Sequence, residues 1–404
     1  ATVRTVATST HSARRTKTDT AVSGRDAASP GTGLVLPGGG ARGAYQVGVL
    51  AAIREVLGED RASSLSPFDI VCGTSAGAVN AVVLASHTHR FDHAVDRLQG
   101  FWSGLECASI YRTDIPTVLT SSLRWLLALA SGGLLPVSPR SLLDNTPLRQ
   151  LLQRELRLTN LQEAIASGSL RGVAVSASAY TRSSAISFYQ GQPSLEPWRR
   201  TRRCGEPATL GVEHVMASAA LPLIFPAERI GDEYYGDGGM RMGAPLSPAI
   251  HLGADRLLVI GTRDEVPDPA PKSAPAYPGA AAVGGYLLDT VFMDTLQADM
   301  ARLERINETL ALMSPEQRAN TSLRPLRTLV IRPSRDLRDI TAVHASSLPG
   351  TVKLLLRTLG GWGRDWRMAS YLMFEADYCQ ALIELGYQDG LAHADELRRF
   401  LRAE

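Results

Sequence analysis

The chain has little of what marks several large classes of protein. Among its 404 residues only Lys17, Lys272 and Lys353 are lysines, and the formal net charge at pH 7 is +2. A protein that binds nucleic acid through phosphate contacts needs a clear basic excess, so we expect no nucleic-acid partner. No run reaches the roughly 20 consecutive apolar residues that span a bilayer, so the sequence predicts no membrane-spanning segment.

Cysteine is also scarce. The four cysteines are widely scattered, at Cys72, Cys107, Cys204 and Cys379. They form no C-x-x-C pair and lack the spacing of metal ligands, which indicates a reducing compartment, and we expect a cytoplasmic protein. Residues 1–30 are rich in Thr, Ser and Arg and lack the apolar core of a secretory signal, so they are predicted to be a disordered tail.

Short apolar runs alternate with helical patterns in the first part of the chain. A strand is predicted over 33–36 and a helix over Ala44–Leu57, and then a strand over 68–72 and a helix over Ala76–Ala85. Two successive strand–helix units imply parallel pairing of the strands. Further strands are predicted at Gly172–Ala179, 184–189, 256–260 and 328–331.

The rest of the chain is divided by composition. Residues 266–285 are dense in Pro, Ala and Gly, as a mobile loop would be. Residues 352–402 have an amphipathic helical pattern. We therefore expect one α/β domain over 31–335, which contains that loop, and a helical extension over 336–404 packed on the same domain.

The predicted strand at 68–72 leads into Gly73-Thr74-Ser75-Ala76-Gly77, which has the G-x-S-x-G spacing of a nucleophile elbow. In such an elbow the serine occupies a strained turn, and the close approach of the backbone requires small residues at the positions of Gly73 and Gly77. The alternative is a chance occurrence in a chain with 36 glycines.

A serine nucleophile requires backbone donors that stabilise an oxyanion. Gly38, Gly39 and Gly40 lie between a predicted strand and a predicted helix, where unobstructed N–H groups converge at the positive end of the helix dipole. Arg42 either adds positive charge there or forms a surface salt bridge.

The same loop also fits the dinucleotide-binding fingerprint G-x-G-x-x-G, at Gly38, Gly40 and Gly43. That fingerprint expects an acidic residue about 20 positions later. Asp60 lies near that distance, but its neighbours indicate a helix end and a loop rather than the end of a strand. The nucleotide interpretation is therefore the weaker one.

The candidate base is Asp237, which lies among glycines after a short aromatic pair. A β-turn explains the same residues without catalysis. A histidine base is the other alternative, because many elbow hydrolases have the order Ser, acid, His. His251, His344 and His393 follow Asp237 in the chain.

Taken together, three segments and the run that precedes the aspartate resemble the patatin-like phospholipase family over about residues 33–248. They are Gly38-Gly39-Gly40-Ala41-Arg42-Gly43, Gly73-Thr74-Ser75-Ala76-Gly77, Ala217-Ser218-Ala219-Ala220-Leu221-Pro222 and Asp237-Gly238-Gly239. The resemblance implies a three-layer α/β/α fold with a mainly parallel central sheet and additional C-terminal helices.

The resemblance also implies roles and chemistry. Ser75 would be the nucleophile and Asp237 the base of a Ser–Asp dyad, with Gly38, Gly39 and Gly40 as the oxyanion hole and Arg42 at its basic position. The implied reaction is acyl transfer from a lipid or phospholipid ester to serine and then to water, without a metal or another cofactor. The alternative is a lipid-binding or regulatory module with little catalysis.

The sequence leaves the oligomeric state and peripheral membrane contact open. The apolar segment around Trp125 is a candidate for lipid contact, and residues 266–285 are a candidate lid.

Overall fold

The computed structural model describes residues 31–58, 64–114, 116, 120, 141–264, 277–290, 294–363 and 366–402. The predicted tail over 1–30, the apolar segment around Trp125 and residues 266–276 of the predicted loop lie outside this part. The last residues of that loop prediction are helical instead, in Ala280–Asp289. The small residues Ala281 and Gly285 let this helix pack closely against the backbone near Gly361 and Arg367.

Ten strands of the described chain form one sheet. They are β1 (Gly31–Leu36), β2 (Ile70–Thr74), β3 (Gly172–Ala179), β4 (Ser184–Gly191), β5 (Trp198–Arg200), β6 (Arg203–Pro207), β7 (Glu228–Ile230), β8 (Glu233–Asp237), β9 (Ala254–Ile260) and β10 (Arg327–Ile331).

The strand order is β10-β9-β1-β2-β3-β4-β6-β5, and β8 joins β3 and β7 outside this path. The run from β10 to β3 is parallel throughout, which confirms the parallel pairing predicted for the first two strand–helix units. Antiparallel pairing enters at β3, with β4 and with β8.

The α-helices described are α1 (Ala44–Leu57), α2 (Ala76–Ala85), α3 (Phe91–Ser103), α4 (Cys107–Ile110), α5 (Thr146–Glu155), α6 (Thr159–Ala166), α7 (Val212–Ser218), α8 (Ser247–His251), α9 (Ala280–Asp289), α10 (Thr295–Leu312), α11 (Pro315–Ala319), α12 (Leu337–His344), α13 (Gly350–Thr358), α14 (Arg367–Leu372), α15 (Ala376–Ala392) and α16 (Ala394–Leu401).

Both faces of the central sheet are buried, as its nearly unbroken apolar strands require. In β1, Leu34 and Leu36 point into one hydrophobic core and Val35 points into the other. Helices α1, α2 and α15 contribute to the first core, and α8 and α10 contribute to the second. The expected three-layer α/β/α arrangement with a mainly parallel sheet is confirmed.

The C-terminal helices pack directly on the layer that carries the predicted site. Helix α15 crosses α1 so closely that a β-carbon on Gly48 would collide with the carbonyl of Ile383, and one on Gly386 would collide with the carbonyl of Tyr45. Glycine on each helix makes this approach possible. The boundary near residue 335 stays a prediction. Within the described chain, the search for a helix that could cross a bilayer finds none.

Candidate active site

Ser75 lies in the turn between β2 and α2, where the sequence predicts a nucleophile elbow. Its backbone has φ 55° and ψ −128°, a strained conformation for a residue with a side chain. A β-carbon on Gly73 would collide with the carbonyl of Gly77, and one on Gly77 would collide with the carbonyl of Leu36. The two flanking glycines are therefore required by backbone contacts within the turn and with β1.

A second serine holds the elbow in place. The backbone N–H of Ser75 donates to Ser218 Oγ at 2.8 Å, and Ser218 Oγ donates to the carbonyl of Ser176 at 2.6 Å. Ser218 ends α7 and is fully buried, so it connects the elbow to β3. Ser218 lies within the run Ala217–Pro222 that resembles the family, but the run alone does not predict this contact with the elbow.

Asp237 lies at the end of β8, opposite Ala177 on β3. Its N–H donates to the carbonyl of Ala220 at 2.8 Å. A β-carbon on the next residue, Gly238, would collide with the carbonyl of Ser176, the same group that accepts from Ser218. The glycine after Asp237 therefore lets this loop approach the strand that anchors the elbow.

The carboxyl group of Asp237 is fully buried. Oδ1 accepts the N–H of Gly239 at 2.9 Å, whereas Oδ2 has no hydrogen-bond partner among the described residues. Burial raises the pKa of Asp237 to about 7, and the nearby Ser75 hydroxyl and Gly239 N–H oppose this rise. The hydroxyl thus lies near enough to stabilise the carboxylate, although it does not complete a hydrogen bond of standard geometry to Oδ2.

The glycine loop, Gly38 to Gly40, follows β1, and its last residue lines the same cavity as Ser75. Gly40 has φ +56°, and a β-carbon there would collide with the carbonyl of Tyr371. At Gly39 a β-carbon would lie 2.8 Å from Thr262 Oγ1, which itself donates to the carbonyl of Gly38 at 2.8 Å. A 3-10 turn begins at Gly40, so its first N–H groups have no acceptor within the turn.

Arg42 is part of a buried ion pair, so the surface salt bridge that was one of its two predicted roles is wrong. Its side chain is 3% exposed, and its NH1 lies 3.1 Å from Asp289 Oδ1. Nε and NH2 donate to Ser370 Oγ at 2.9 and 2.7 Å, and the guanidinium lies 4.2 Å from the ring centroid of Tyr371. These contacts orient the side chain of Arg42 toward α9 and α14, so Arg42 fixes the glycine loop to these two helices. Direct participation in the oxyanion hole remains only an expectation from the resemblance.

A buried series of side-chain hydrogen bonds, through one indole and two amides, joins the glycine loop to the elbow helix α2. Trp102 Nε1 donates to Asn80 Oδ1 at 2.8 Å, and Asn80 Nδ2 donates to Gln46 Oε1 at 2.9 Å. Gln46 Nε2 then donates to the carbonyl of Pro37 at 2.9 Å. The sequence analysis missed these three residues, because nothing in their spacing distinguishes them from ordinary core positions.

The histidines considered as an alternative base lie elsewhere. His251 stacks on Trp198, with ring centroids 4.8 Å apart. His344 Nδ1 pairs with Asp377, and His393 Nδ1 contacts the carbonyl of Asp389. Asp237 therefore faces Ser75 without any of the three.

One cavity opens over Ser75, with about 460 Å³ of unoccupied space including its mouth. Gly40 and Ser75 lie at its wall. The other lining residues are almost all apolar or aromatic: Ala76, Val79, Phe101, Trp102, Leu105, Ile110, Leu148, Ala219, Leu221, Phe225 and Phe374. Such a lining suits an apolar ligand segment.

Among the described residues, no group of three or more His, Cys, Asp or Glu side chains could bind a metal ion. Asp60, which the dinucleotide interpretation requires, lies outside the described residues.

A family model for patatin-like phospholipases matches residues 34–250. This range includes the glycine loop, the elbow around Ser75, the run Ala217–Pro222 and Asp237. The chain belongs to the patatin-like phospholipase family.

A curated relative, the cGAMP-activated phospholipase of Pseudomonas aeruginosa (strain BWHPSA011 / Pa011), is 29% identical over 215 residues. The match covers 52% of this chain and 53% of the relative, so the chain spans about half the length of that patatin-like protein.

Among solved structures, the chain is similar to human GIVD cytosolic phospholipase A2, with 10% identity and a TM-score of 0.42 over 93% of this chain and 61% of that one. It is also similar to VipD from Legionella pneumophila, with 14% identity and a TM-score of 0.30 over 88% of this chain and 67% of that one.

Proposed function

We propose that the protein is a serine lipid acyl hydrolase of the phospholipase A or lysophospholipase type, with Ser75 as nucleophile and Asp237 as general base. One observation carries the proposal. The buried carboxyl of Asp237 has an oxygen without a partner among the described residues and lies beside the hydroxyl of Ser75, and Ser75 lines an apolar cavity.

In the acylation step, Ser75 Oγ attacks the ester carbonyl carbon and Asp237 accepts the hydroxyl proton. A carboxylate with a pKa near 7 is a better match for this transfer than one with an ordinary pKa, because proton transfer is most efficient when the pKa of the base is close to the working pH. The ester C–O bond then breaks, and Asp237 returns the proton to the leaving alcohol.

The oxyanion would be stabilised by backbone N–H groups of the glycine loop at Gly38, Gly39 and Gly40, together with the N–H that follows the nucleophile, on Ala76. The N–H of Ser75 itself is already donated to Ser218. In the second step, water attacks the carbonyl carbon of the acyl-enzyme and Asp237 accepts a proton from the water. The bond from the acyl carbon to Ser75 Oγ then breaks, Asp237 returns the proton to Ser75 Oγ, and the fatty acid leaves.

The apolar cavity would hold the acyl chain of a lipid substrate. Val79 lies on α2 one helical turn after Ser75 and lines the cavity. An acyl chain whose ester carbonyl lies at Ser75 would therefore pass the side chain of Val79. Replacing Val79 with Phe should therefore shift the preference toward shorter acyl chains.

The direct test combines a panel of phospholipids, lysophospholipids and short-chain esters with a fluorophosphonate probe. We expect wild type to hydrolyse at least one lipid class and to be labelled at Ser75, and Ser75→Ala to do neither. A folded wild-type protein that the probe does not label would instead support the alternative of a lipid-binding or regulatory module.

A further inference from the structure

Helix α9 presents an apolar face to solvent. Its buried side consists of Ala281, Gly285 and Asp289, at intervals of four residues. On the other side Val283, Tyr286 and Leu287 are 46, 62 and 57% exposed. A contiguous apolar strip on the solvent side of a helix is normally covered by something other than water.

Two more exposed apolar side chains lie on segments next to this helix. Tyr277, just before α9, is 96% exposed, and Leu354 on α13 is 63% exposed. The two helices meet where the N–H of Ala281 donates to the carbonyl of Leu359 at 2.9 Å, directly after α13. The apolar patch is defined here as Tyr277, Val283, Tyr286, Leu287 and Leu354.

Within the two segments that contribute the apolar patch, the charges at the surface have one sign. Segments 277–290 and 350–363 contain two basic residues, Lys353 and Arg357, and one acidic residue, Asp289. Asp289 is buried and paired with Arg42, so it does not offset the two cations at the surface. Arg357 also lies 5.0 Å from the ring centroid of Trp362, which places an aromatic residue beside the charge.

The apolar patch lies one helix away from the cavity. A β-carbon on Gly285 would lie 2.6 Å from Arg367 Cβ, so α9 packs closely on α14. At the end of α14 the carbonyl of Tyr371 abuts Gly40, and Phe374, which follows α14, lines the cavity. The patch is therefore continuous through α14 with the wall of the proposed active site.

We propose that the apolar patch docks the protein on the surface of a phospholipid bilayer that contains anionic lipid. Helices with an apolar outer face bind at the headgroup boundary, where tyrosine is favoured and nearby basic residues are attracted to anionic headgroups. The choice of a lipid surface rests on the proposed function, because the substrate would reside in that bilayer.

The test uses vesicles of phosphatidylglycerol and phosphatidylcholine in equal parts, with flotation as the measurement and Ser75→Ala as the parent, so that the lipid stays intact. Combining Val283→Gln, Tyr286→Gln and Leu287→Gln should lower vesicle binding about tenfold or more. The matched control combines Leu312→Gln and Val343→Gln, which replace side chains that are 89 and 77% exposed elsewhere. This control should bind like the parent.

Added salt should weaken binding of the parent to these vesicles, because the contribution of Lys353 and Arg357 is screened. The proposal is overturned if the triple variant floats like its parent. It is also overturned if the parent does not float but self-associates in sedimentation and the triple variant does not, because a second copy would then cover the patch. If the triple variant unfolds early in a thermal melt, Leu287→Gln alone replaces it, with the same criterion at a smaller expected loss.

A separate readout distinguishes this inference from the proposed function. With Ser75 restored, the triple variant should still hydrolyse a monomeric short-chain ester while its activity on vesicles falls. If the protein hydrolyses no ester yet floats through the patch, docking stands and the proposed function fails. If it hydrolyses the monomeric ester but vesicle binding does not depend on the patch, only the docking proposal fails.

Discussion

Ser218 Oγ accepts the backbone N–H of Ser75 at 2.8 Å and donates to the carbonyl of Ser176. It thereby fixes the strained nucleophile turn against β3 without contacting the cavity. Such a residue positions the nucleophile, and its removal should affect the chemical step more than substrate binding.

Ser218→Ala should lower kcat by about tenfold to a hundredfold with little change in KM, because the Ser75 N–H loses its buried acceptor and the turn can relax. The rate of fluorophosphonate labelling should fall in parallel. Ser187→Ala is the matched control, since Ser187 is also buried and shares a hydrogen bond with Ser176. Equal losses in both variants would argue for a general packing effect instead.

The pH dependence of activity should follow Asp237. Burial raises its pKa to about 7, and only the carboxylate can accept the Ser75 proton. The value of kcat/KM should therefore be low in acid, rise through about pH 7 and level off above it. Asp237→Asn should remove nearly all activity at every pH, whereas single substitution of His251, His344 or His393 should leave the profile unchanged. Loss of activity in one folded histidine variant would indicate a triad.

Asp237 should also make the folded protein less stable as the pH rises. The unfolded carboxyl ionises near 3.8 and the folded one near 7, so between these values the folded state holds the extra proton and stability falls with increasing pH. Above pH 7 the full cost is about 4 kcal/mol, from roughly three pKa units at 1.36 kcal/mol each.

Asp237→Asn, which does not titrate, should therefore gain stability relative to wild type as the pH rises. Urea unfolding of both proteins across this pH range measures the difference. If the difference in unfolding free energy between the two proteins stays constant with pH, the Asp237 carboxyl is not forced to ionise in a buried site.

The ion pair of Arg42 and Asp289 should contribute strongly to stability and to activity. Asp289→Ala leaves Arg42 buried without its carboxylate, which costs about 3–5 kcal/mol of unfolding free energy when one partner of a buried pair is removed. Activity should fall as well, because Arg42 holds the loop that contains Gly40. Asp96→Asn is the control, since the pair of Asp96 with Arg54 lies at the surface and should contribute less than about 1 kcal/mol. Denaturant unfolding of the two variants compares them directly.

The glycines of the elbow should tolerate no side chain. Gly77→Ala places a methyl group against the carbonyl of Leu36, so we expect loss of activity together with a marked fall in melting temperature. Gly100→Ala is the matched control, because Gly100 lies in α3 with open space around its β-carbon position. That variant should gain up to about 1 kcal/mol from the better helix propensity of alanine. Similar melting temperatures for the two variants would contradict the packing described for the turn.

The sequence predicted local features well where backbone geometry limits the choice of residue. The strained turn around Ser75 needs glycine on both sides, and α1 and α2 have the bounds that their patterns predicted. The parallel strands followed from alternating strands and helices, and the three layers were implied by the resemblance.

Other features depend on contacts between distant parts of the chain. Ser218, Gln46, Asn80 and Trp102 look like ordinary core or helix residues, and only the folded backbone brings their polar atoms together. The burial of Arg42 against Asp289 joins positions 247 residues apart, which no local pattern reveals. Residues 280–285 were assigned to a loop because of their glycine and alanine content, although those small residues serve close helix packing.

The contact between Gly40 and the carbonyl of Tyr371 has a consequence for synthesis in the cell. The segment that holds the glycine loop in place is translated more than three hundred residues after the loop itself. A nascent chain that contains Ser75 but not yet Tyr371 would lack the support for its glycine loop. The proposed activity would thus arise only after the segment around Tyr371 has been translated and has folded against Gly40, and a chain that stops before it would do little damage to nearby lipid.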